Sequence, residues 1–168
     1  AAGMDREVIA RRNFTVLLQA VLREGFFHAD PHAGNFLVLP DEVIGMVDFG
    51  IMGHLDPVER LGLVQLFVGL FREDTDRVVA AMSELGIATK AADRRSLARD
   101  MDRLRLRYYG LDLERIRARS FFEDLMGLAF SNRLIMPSNL VLVFKTIAML
   151  EGISLQLDPK FNVFEEVE

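Results

Sequence analysis

The sequence contains no cysteine among its 168 residues, which excludes disulfide bonds, thiolate zinc sites and cysteine nucleophiles. Lysine is also scarce, because arginine supplies 17 of the 20 cationic residues and no lysine occurs before residue 90. The three lysines are Lys90, Lys145 and Lys160. The formal net charge is −5, so the chain lacks the overall basic character of a nucleic-acid-binding protein. We therefore expect no nucleic-acid partner.

Long apolar segments are missing as well. The longest uncharged apolar stretches, 61–71 and 134–144, have 11 residues each, whereas a helix that spans a bilayer needs about 20. The first residues lack the apolar segment of a secretory signal. We therefore expect the chain to be cytoplasmic or peripheral to a membrane. Its 51% hydrophobic and 27% charged residues exclude disorder and predict one folded domain over 1–168.

Most apolar residues recur at the spacing of an α-helix. The pattern predicts a helix over 5–24 that ends at Gly25, and an acidic cap at Asp56 predicts the start of the next helix. That second helix is apolar on nearly every side, which is typical of a helix enclosed by others. In the fifth helix, over 112–130, the pattern places these apolar residues on one face: Phe121, Phe122, Leu125, Met126, Ala129 and Phe130. The helices after Asp56 are predicted at 57–71, 74–85, 93–108, 112–130 and 137–157.

One short β-hairpin is predicted among these helices. The apolar segments 36–39 and 43–47 flank the turn signal Pro40-Asp41-Glu42. The preceding segment, 26–35, is too broken for a helix and too polar for a buried strand, so it is predicted to be a loop. The fold class expected is mainly helical (α+β), with a single hairpin near the start of the chain.

Three polar residues lie at the two ends of this hairpin. Asp30 and Asn35 precede it and Asp48 follows it; because a hairpin returns its ends to nearly the same point, these side chains can converge. Carboxylate and amide oxygens suit Mg²⁺, and a further carboxylate can align the proton of an attacking hydroxyl. The alternative is that Asp30 and Asn35 cap turns and Asp48 ends a strand.

Protein kinases carry the same arrangement. Their catalytic loop has an Asp and an Asn five residues apart, and an Asp-Phe-Gly motif follows a strand-turn-strand unit. Here Asp48, Phe49 and Gly50 provide that motif after the predicted hairpin. The residue types, the two spacings and the context agree, so the pattern indicates the C-terminal lobe of a protein-kinase-like fold.

Several segments together point to one family. The sequence reads Gly-Phe-Phe-His-Ala-Asp-Pro-His-Ala-Gly-Asn at 25–35 and Met-Val-Asp-Phe-Gly at 46–50. It continues with Met-Pro-Ser-Asn-Leu-Val-Leu at 136–142, Leu-Glu-Gly at 150–152 and Leu-Asp-Pro-Lys-Phe-Asn at 157–162. These segments closely resemble the UbiB-type atypical kinases, which are linked to coenzyme Q biosynthesis. Ala33, where members usually have proline, is a mild departure that affects no ligand.

The resemblance implies a role for each site residue. Asp30 would be the catalytic aspartate, and Asn35 and Asp48 would hold Mg²⁺ with ATP or ADP. His28 would be a structural histidine that braces the backbone of the Asp-Phe-Gly motif. His32 has two open interpretations, contact with phosphate or substrate and a local hydrogen bond, of which we favour the second.

The other half of a kinase is not recognisable in this sequence. Only 27 residues precede His28, and they include no strand lysine for the phosphates. We therefore expect a C-terminal lobe without its N-terminal lobe, inactive by itself and prone to self-association through the uncovered face. Only residues 51–55 separate the Asp-Phe-Gly motif from the next helix, which leaves no platform for a peptide and favours a small or lipidic substrate.

Two other functions stay open. One is a small-molecule kinase of the choline or aminoglycoside type, which also uses H-x-D-x-x-x-x-N and lacks an activation segment. The other is a non-catalytic helical binding or scaffold module that retains the motif without using it. The Phe49-Gly50 pair and the C-terminal helices favour the UbiB-type interpretation.

Positive charge is concentrated in 94–119, which holds nine arginines and four acids. We favour a solvated helical face with pairs such as Asp100 with Arg103. The alternative is a contact for anionic lipid headgroups at a membrane. Lys145 stands alone in an apolar helix, and it is predicted to reach towards solvent or to pair with a carboxylate.

Overall fold

The computed structural model describes residues 3–72, 74–87, 94–108 and 116–163. These residues form six α-helices and four short strands, so the predicted mainly helical class is confirmed. In chain order the elements are α1 (Arg6–Gln19), β1 (Phe26–His28), β2 (Phe36–Leu39), β3 (Val43–Met46), β4 (Met52–His54), α2 (Pro57–Phe71), α3 (Thr75–Glu84), α4 (Arg94–Tyr108), α5 (Ala118–Ser131) and α6 (Ser138–Leu157).

Helix α1 begins and ends at residues suited to those positions. The Asp5 carboxylate accepts hydrogen bonds from the backbone amides of Glu7 (3.0 Å) and Val8 (3.2 Å), which satisfies two free donors of the first turn. A single π-helical turn, Ala20–Glu24, continues the helix to Gly25, whose φ of 70° suits glycine. The Gly25 carbonyl then accepts from the Leu55 amide at 2.7 Å, which ties this end of the helix to the segment after β4.

The strands form two separate antiparallel pairs. Strands β2 and β3 are the predicted hairpin, in which Phe36 lies opposite Met46. The prediction of one hairpin and a loop over 26–35 is wrong in part, because β1 pairs with β4, with Phe26 opposite His54. Each of these strands has three residues, which is too few to show an alternating pattern. Strand β1 precedes the hairpin and β4 follows it, so neither strand is next to its partner in the sequence.

The β1–β4 pair depends on the absence of a side chain at residue 53. A Cβ atom on Gly53 would overlap the ring of Phe27, which is buried at 1% exposure and cannot move into solvent without opening the core. We expect Gly53→Ala to lower the free energy of unfolding by about 1–3 kcal/mol, measured by urea denaturation. Gly127→Ala is the control, since Gly127 is exposed in α5 with nothing near its Cβ position, and it should stabilise by about 0.5–1 kcal/mol. Equal effects of the two changes would contradict this account.

Helix α2 has the predicted start but not the predicted surroundings. Asp56 accepts from the amides of Val58 (2.7 Å) and Glu59 (2.8 Å), and the Glu59 carboxylate accepts from the Asp56 amide (2.9 Å), which completes a capping box. Leu63 is buried, whereas Leu61 is 58% exposed. The expectation of burial on nearly every side is therefore wrong, because α2 packs mainly against α3 and keeps one side open.

Helix α5 begins later than predicted. It starts at Ala118 instead of residue 112, and 109–115 lie outside the described residues. Leu125 and Ala129 are buried as expected, but Phe130 is 88% exposed. Phe130 follows Leu125 by five residues, which is about 140° round a helix of 3.6 residues per turn and places it off the core stripe.

Helix α4 buries an apolar face that includes Leu97, Met101 and Leu104. At the end of the helix, the Tyr108 hydroxyl donates to Asp124 of α5 at 2.6 Å. Burial raises the pKa of the Tyr108 phenol, and the hydrogen bond to the Asp124 carboxylate raises it further. This contact joins α4 to α5.

Three arginines of 94–119 form ion pairs with carboxylates inside the chain. Contacts to carboxylates are made by Arg103 with Asp100 (3.1 Å), Arg107 with Asp124 (2.6 Å) and Arg119 with Glu123 (3.2 Å). The predicted Asp100–Arg103 pair is thus confirmed, and these pairs agree with the solvated helical face. Lys90, Asp112 and Glu114 lie outside the described residues.

Helix α6 is the central helix of the core. Leu140, Val143 and Leu150 are fully buried, and the helix packs against α1 and α5. Just beyond its end, the ring of Phe161 meets Phe14 of α1 edge-on at 5.6 Å. By length and composition this 20-residue helix could cross a membrane, with a mean hydropathy of 1.7 over 18 residues. Its buried face has the contacts of a core helix in a folded domain.

A buried carboxylate on α6 caps the start of α5. Glu151 is 3% exposed, and its two oxygens accept hydrogen bonds from the backbone amides of Ala118 (2.8 Å) and Arg119 (3.1 Å). No side chain of α5 itself caps that terminus. Glu151 therefore does from a neighbouring helix what an N-cap residue normally does within its own helix.

Candidate functional site

The candidate site begins with the loop that follows β1. The Ala29 amide donates to the Ile51 carbonyl at 3.0 Å, which extends the β1–β4 pairing up to Asp30. Beyond it the chain turns tightly, since the His32 amide donates to the Asp30 carbonyl (2.8 Å) and the Asn35 amide to the His32 carbonyl (2.9 Å). The Asn35 side chain, 5% exposed, donates through Nδ2 to the Asp30 carbonyl at 3.1 Å. Asp30 and Asn35 are thus held in one rigid turn.

His28 connects this loop to the end of the hairpin. Its Nδ1 accepts from the Asp30 amide at 3.2 Å, so the proton of the ring lies on Nε2. Nε2 is 3.3 Å from the Val47 carbonyl, to which it donates. The ring is 3% exposed, so both bonds are shielded from water. His28 therefore joins the backbone at Asp30 to the backbone at Val47.

Asp48 follows the second strand of the hairpin, at the point where the chain passes Asn35. The Val47 amide donates to the Asn35 carbonyl at 3.0 Å, which brings the backbone just before Asp48 against the loop. Asp48 has a φ of 58°, in the left-handed region, and its Oδ1 accepts from the Gly50 amide at 3.3 Å. The carboxylate is exposed and therefore open to a ligand. Phe49 is 58% exposed, with its ring 5.7 Å from the ring of His28.

The oxygens of this site suit a hard cation that brings other ligands with it. The side-chain nitrogen of Asn35 donates to the Asp30 carbonyl, so the side-chain oxygen is the Asn35 atom that can bind a ligand. Asp48 adds an exposed carboxylate. Mg²⁺ is commonly held by one or two carboxylates together with waters and substrate phosphates. Over the described parts of the chain no three acidic or histidine side chains form a metal cluster. The oxygens of Asn35 and Asp48 are therefore of the type that suits Mg²⁺, but they would need further ligands to complete its coordination.

Helix α6 adds a cation to the site. Lys145 Nζ is 3.5 Å from Asp30 Oδ1, and the two side chains are 47% and 32% exposed, respectively. The prediction that Lys145 reaches solvent or pairs with a carboxylate is confirmed. Sequence reasoning did not assign Lys145 to the site, because its partner lies 115 residues away. The available signal was a single cation in an otherwise apolar helix.

His32 makes the local hydrogen bond that we favoured. Its Nδ1 accepts from the Gly34 amide at 3.1 Å, and it caps the short 3₁₀ turn over Ala33–Asn35. The side chain is exposed. This bond helps to form the turn that contains Asn35.

Comparison with known proteins identifies two domain types in the chain. The model of the ABC1 atypical kinase-like domain matches residues 1–82, and the model of the UbiB helical domain matches residues 101–162. The first match contains the whole β-strand region and the loop with Asp30 and Asn35. The second contains α5 and α6.

Curated relatives carry names from the same group. The chain is 31% identical over 177 residues to the probable protein kinase UbiB of Xanthomonas oryzae pv. oryzae, covering 98% of this chain and 30% of that protein. It is 30% identical over 196 residues to the chloroplastic protein ACTIVITY OF BC1 COMPLEX KINASE 8 of Arabidopsis thaliana, covering 97% and 26%. The chain spans about a quarter to a third of the length of such relatives. Both domain models and these relatives place the chain in the ABC1/UbiB family of atypical kinase-like proteins.

Proposed function

We propose that the chain is the magnesium-nucleotide-binding C-terminal lobe of a UbiB-type atypical kinase or ATPase. The activity would serve coenzyme Q or other isoprenoid-lipid metabolism, in the cytoplasm or at a membrane surface. One observation carries the proposal: the hydrogen bond from the Val47 amide to the Asn35 carbonyl, at 3.0 Å. It joins the two ends of the hairpin, so that Asn35 and Asp48 are available to one ligand beside Asp30.

Each residue of the site has a task in phosphoryl transfer. Asn35 and Asp48 would hold magnesium, which when bound neutralises charge on the phosphate oxygens. Asp30 would accept the proton of the attacking water or hydroxyl. His28, through its bonds to the Asp30 amide and the Val47 carbonyl, keeps the two halves of the site at a constant separation.

The connection from the site to α2 supports a small or lipidic substrate. Met52–His54 are committed to pairing with β1, and Leu55 is bonded to Gly25, so this segment is part of the scaffold. A peptide-docking segment between Asp48 and Pro57 would have to break these bonds. The membership in the ABC1/UbiB family favours this proposal over a choline or aminoglycoside kinase.

This chain exposes an apolar surface that an N-terminal lobe would cover. The hairpin and the segment after it expose large apolar side chains, and without a cover such a surface favours self-association. The exposed side chains include Leu37, Leu39, Val43, Val47, Phe49 and Ile51.

Substitution of Asp48 tests the proposal. In the full gene product that contains these residues, calorimetry should give a Kd for ADP with Mg²⁺ that is weaker by at least about tenfold in Asp48→Ala, because a metal ligand is lost. Asp76→Ala is the matched control, since Asp76 is an exposed acid on α3 away from the hairpin, and its Kd should change by less than about twofold. Unchanged affinity in Asp48→Ala would contradict the site, and no binding by the parent protein would favour a scaffold.

A further inference from the structure

The contact between Lys145 and Asp30 joins distant parts of the chain at the candidate site. Asp30 follows β1 in the first domain match, whereas Lys145 lies in α6 in the second. Over the described residues, Lys145 is the cation that forms an ion pair with a carboxylate of the site, at 3.5 Å.

The pair is a weak candidate for a stabilising interaction. The side chains of Lys145 and Asp30 are 47% and 32% exposed, and ion pairs of that exposure contribute little to folding. The neighbours of Lys145 on α6, Val143 and Phe144, already anchor the helix in the core. A role in the chemistry of the site therefore explains the position of this charge better than a role in stability.

The choice of lysine over arginine matters in a chain with so many arginines. A guanidinium binds a carboxylate through two parallel hydrogen bonds and would occupy both oxygens of Asp30. An ammonium is a point charge on a flexible stem, and here the contact is to Oδ1. The second oxygen of Asp30 stays available to a proton from an attacking group.

We propose that Lys145 contacts the terminal phosphate of bound ATP. The inference rests on the proposed function and deepens it. If Asp30 accepts the proton of the attacking group, that group lies within hydrogen-bond reach of Asp30 and about 3–3.5 Å from the terminal phosphorus. An ammonium beside Oδ1 is then close to the terminal phosphate and more distant from the phosphates that ADP retains.

The step itself conserves atoms and charge. The oxygen of water, or of a substrate hydroxyl, forms a bond to the terminal phosphorus, and the bond from that phosphorus to the bridging oxygen breaks. ADP leaves with the electron pair, and the proton of the attacking group passes to Asp30. Lys145 keeps its own protons and offsets the negative charge on the terminal phosphate, which is where electrostatic assistance is effective in phosphoryl transfer.

A comparison of two nucleotides tests this role. Calorimetry on the full gene product with Mg²⁺ would use ADP and the non-hydrolysable analogue β,γ-imido-ATP. In Lys145→Met the Kd for the analogue should weaken by about tenfold, a typical loss for one charged contact, while the Kd for ADP changes less than about twofold. Lys145→Arg should retain most of the affinity for the analogue. Lys160→Met is the control, because Lys160 is exposed beyond the end of α6, and both of its Kd values should stay unchanged.

The outcomes separate this inference from the proposed function. If Asp48→Ala loses ADP binding while Lys145→Met binds both nucleotides like the parent, the inference about Lys145 is wrong and the proposed function stands. Equal losses for ADP and the analogue in Lys145→Met and in a second variant, Lys145→Gln, would also overturn it. If the parent binds neither nucleotide, or Asp48→Ala binds ADP normally, the proposed function fails and this inference fails with it.

Discussion

Replacement of Asp30 with asparagine should reduce ATP turnover by the full gene product about 10²–10⁴-fold, the usual contribution of general base catalysis. Asparagine has nearly the same shape but cannot accept the proton of the attacking group. The bonds that order the loop use the backbone amide and carbonyl of Asp30, so the turn should persist in the variant. The Kd for ADP with Mg²⁺ should therefore change by less than about threefold, which separates loss of chemistry from loss of binding.

The measurement for Asp30→Asn is release of phosphate from ATP at saturating nucleotide. Asp41→Asn is a matched control, because Asp41 is an exposed acid at the far end of the hairpin whose φ of 63° asparagine tolerates. Turnover in that control should stay near the parent value. If Asp30→Asn retained more than about a third of the parent turnover, Asp30 could not be the base that the mechanism requires.

Glu151→Ala should lower the free energy of unfolding by about 3–5 kcal/mol. Two charge-assisted hydrogen bonds would be lost, each worth about 1.5–3 kcal/mol. The amides of Ala118 and Arg119 would be left without the acceptors that now cap α5, and Glu151 is itself 3% exposed, so water cannot readily replace it. The effect combines loss of a helix cap with loss of packing in the core.

Urea denaturation of the parent and two variants would measure this effect. Glu151→Gln keeps one acceptor oxygen and should lie between the parent and Glu151→Ala. Glu123→Ala is the control, because Glu123 is 65% exposed and pairs with Arg119 on the surface of α5, so its removal should cost less than about 1 kcal/mol. Similar losses at Glu123 and Glu151 would show that the buried cap is not important.

Helices α1, α2 and α3 could be predicted because each has a local cause. The caps at Asp5, Asp56 and Asp74 and the ends at Gly25 and Gly86 are set by residues within one turn of the helix. Strands β1 and β4 could not be predicted in the same way, because each has three residues and is defined by a partner beyond the hairpin. The exposure of Phe130 and Leu61 depends on which neighbours cover a helix, and spacing within one helix does not determine that.

The part of the site on one hairpin was accessible from the sequence, because Asp30, Asn35 and Asp48 are close along the chain. The roles assigned to them stay predictions. The two contacts made by α6, Lys145 with Asp30 and Glu151 with the start of α5, join residues 115 and 33 positions apart. In the sequence these residues are an isolated cation and an isolated acid, and only the tertiary structure identifies the partner of each.

The packing of α1 against α6 bears on how this family could be divided or recombined. The two domain models match separate stretches of the chain. Phe14 of the first stretch is nevertheless in ring contact with Phe161 of the second, and α1 packs against α6. A truncation after residue 82 would remove α6, which packs against α1, and Lys145, which pairs with Asp30. The two stretches therefore pack on each other through α1 and α6, and an exchange of either stretch between relatives would have to carry the matching face of the other.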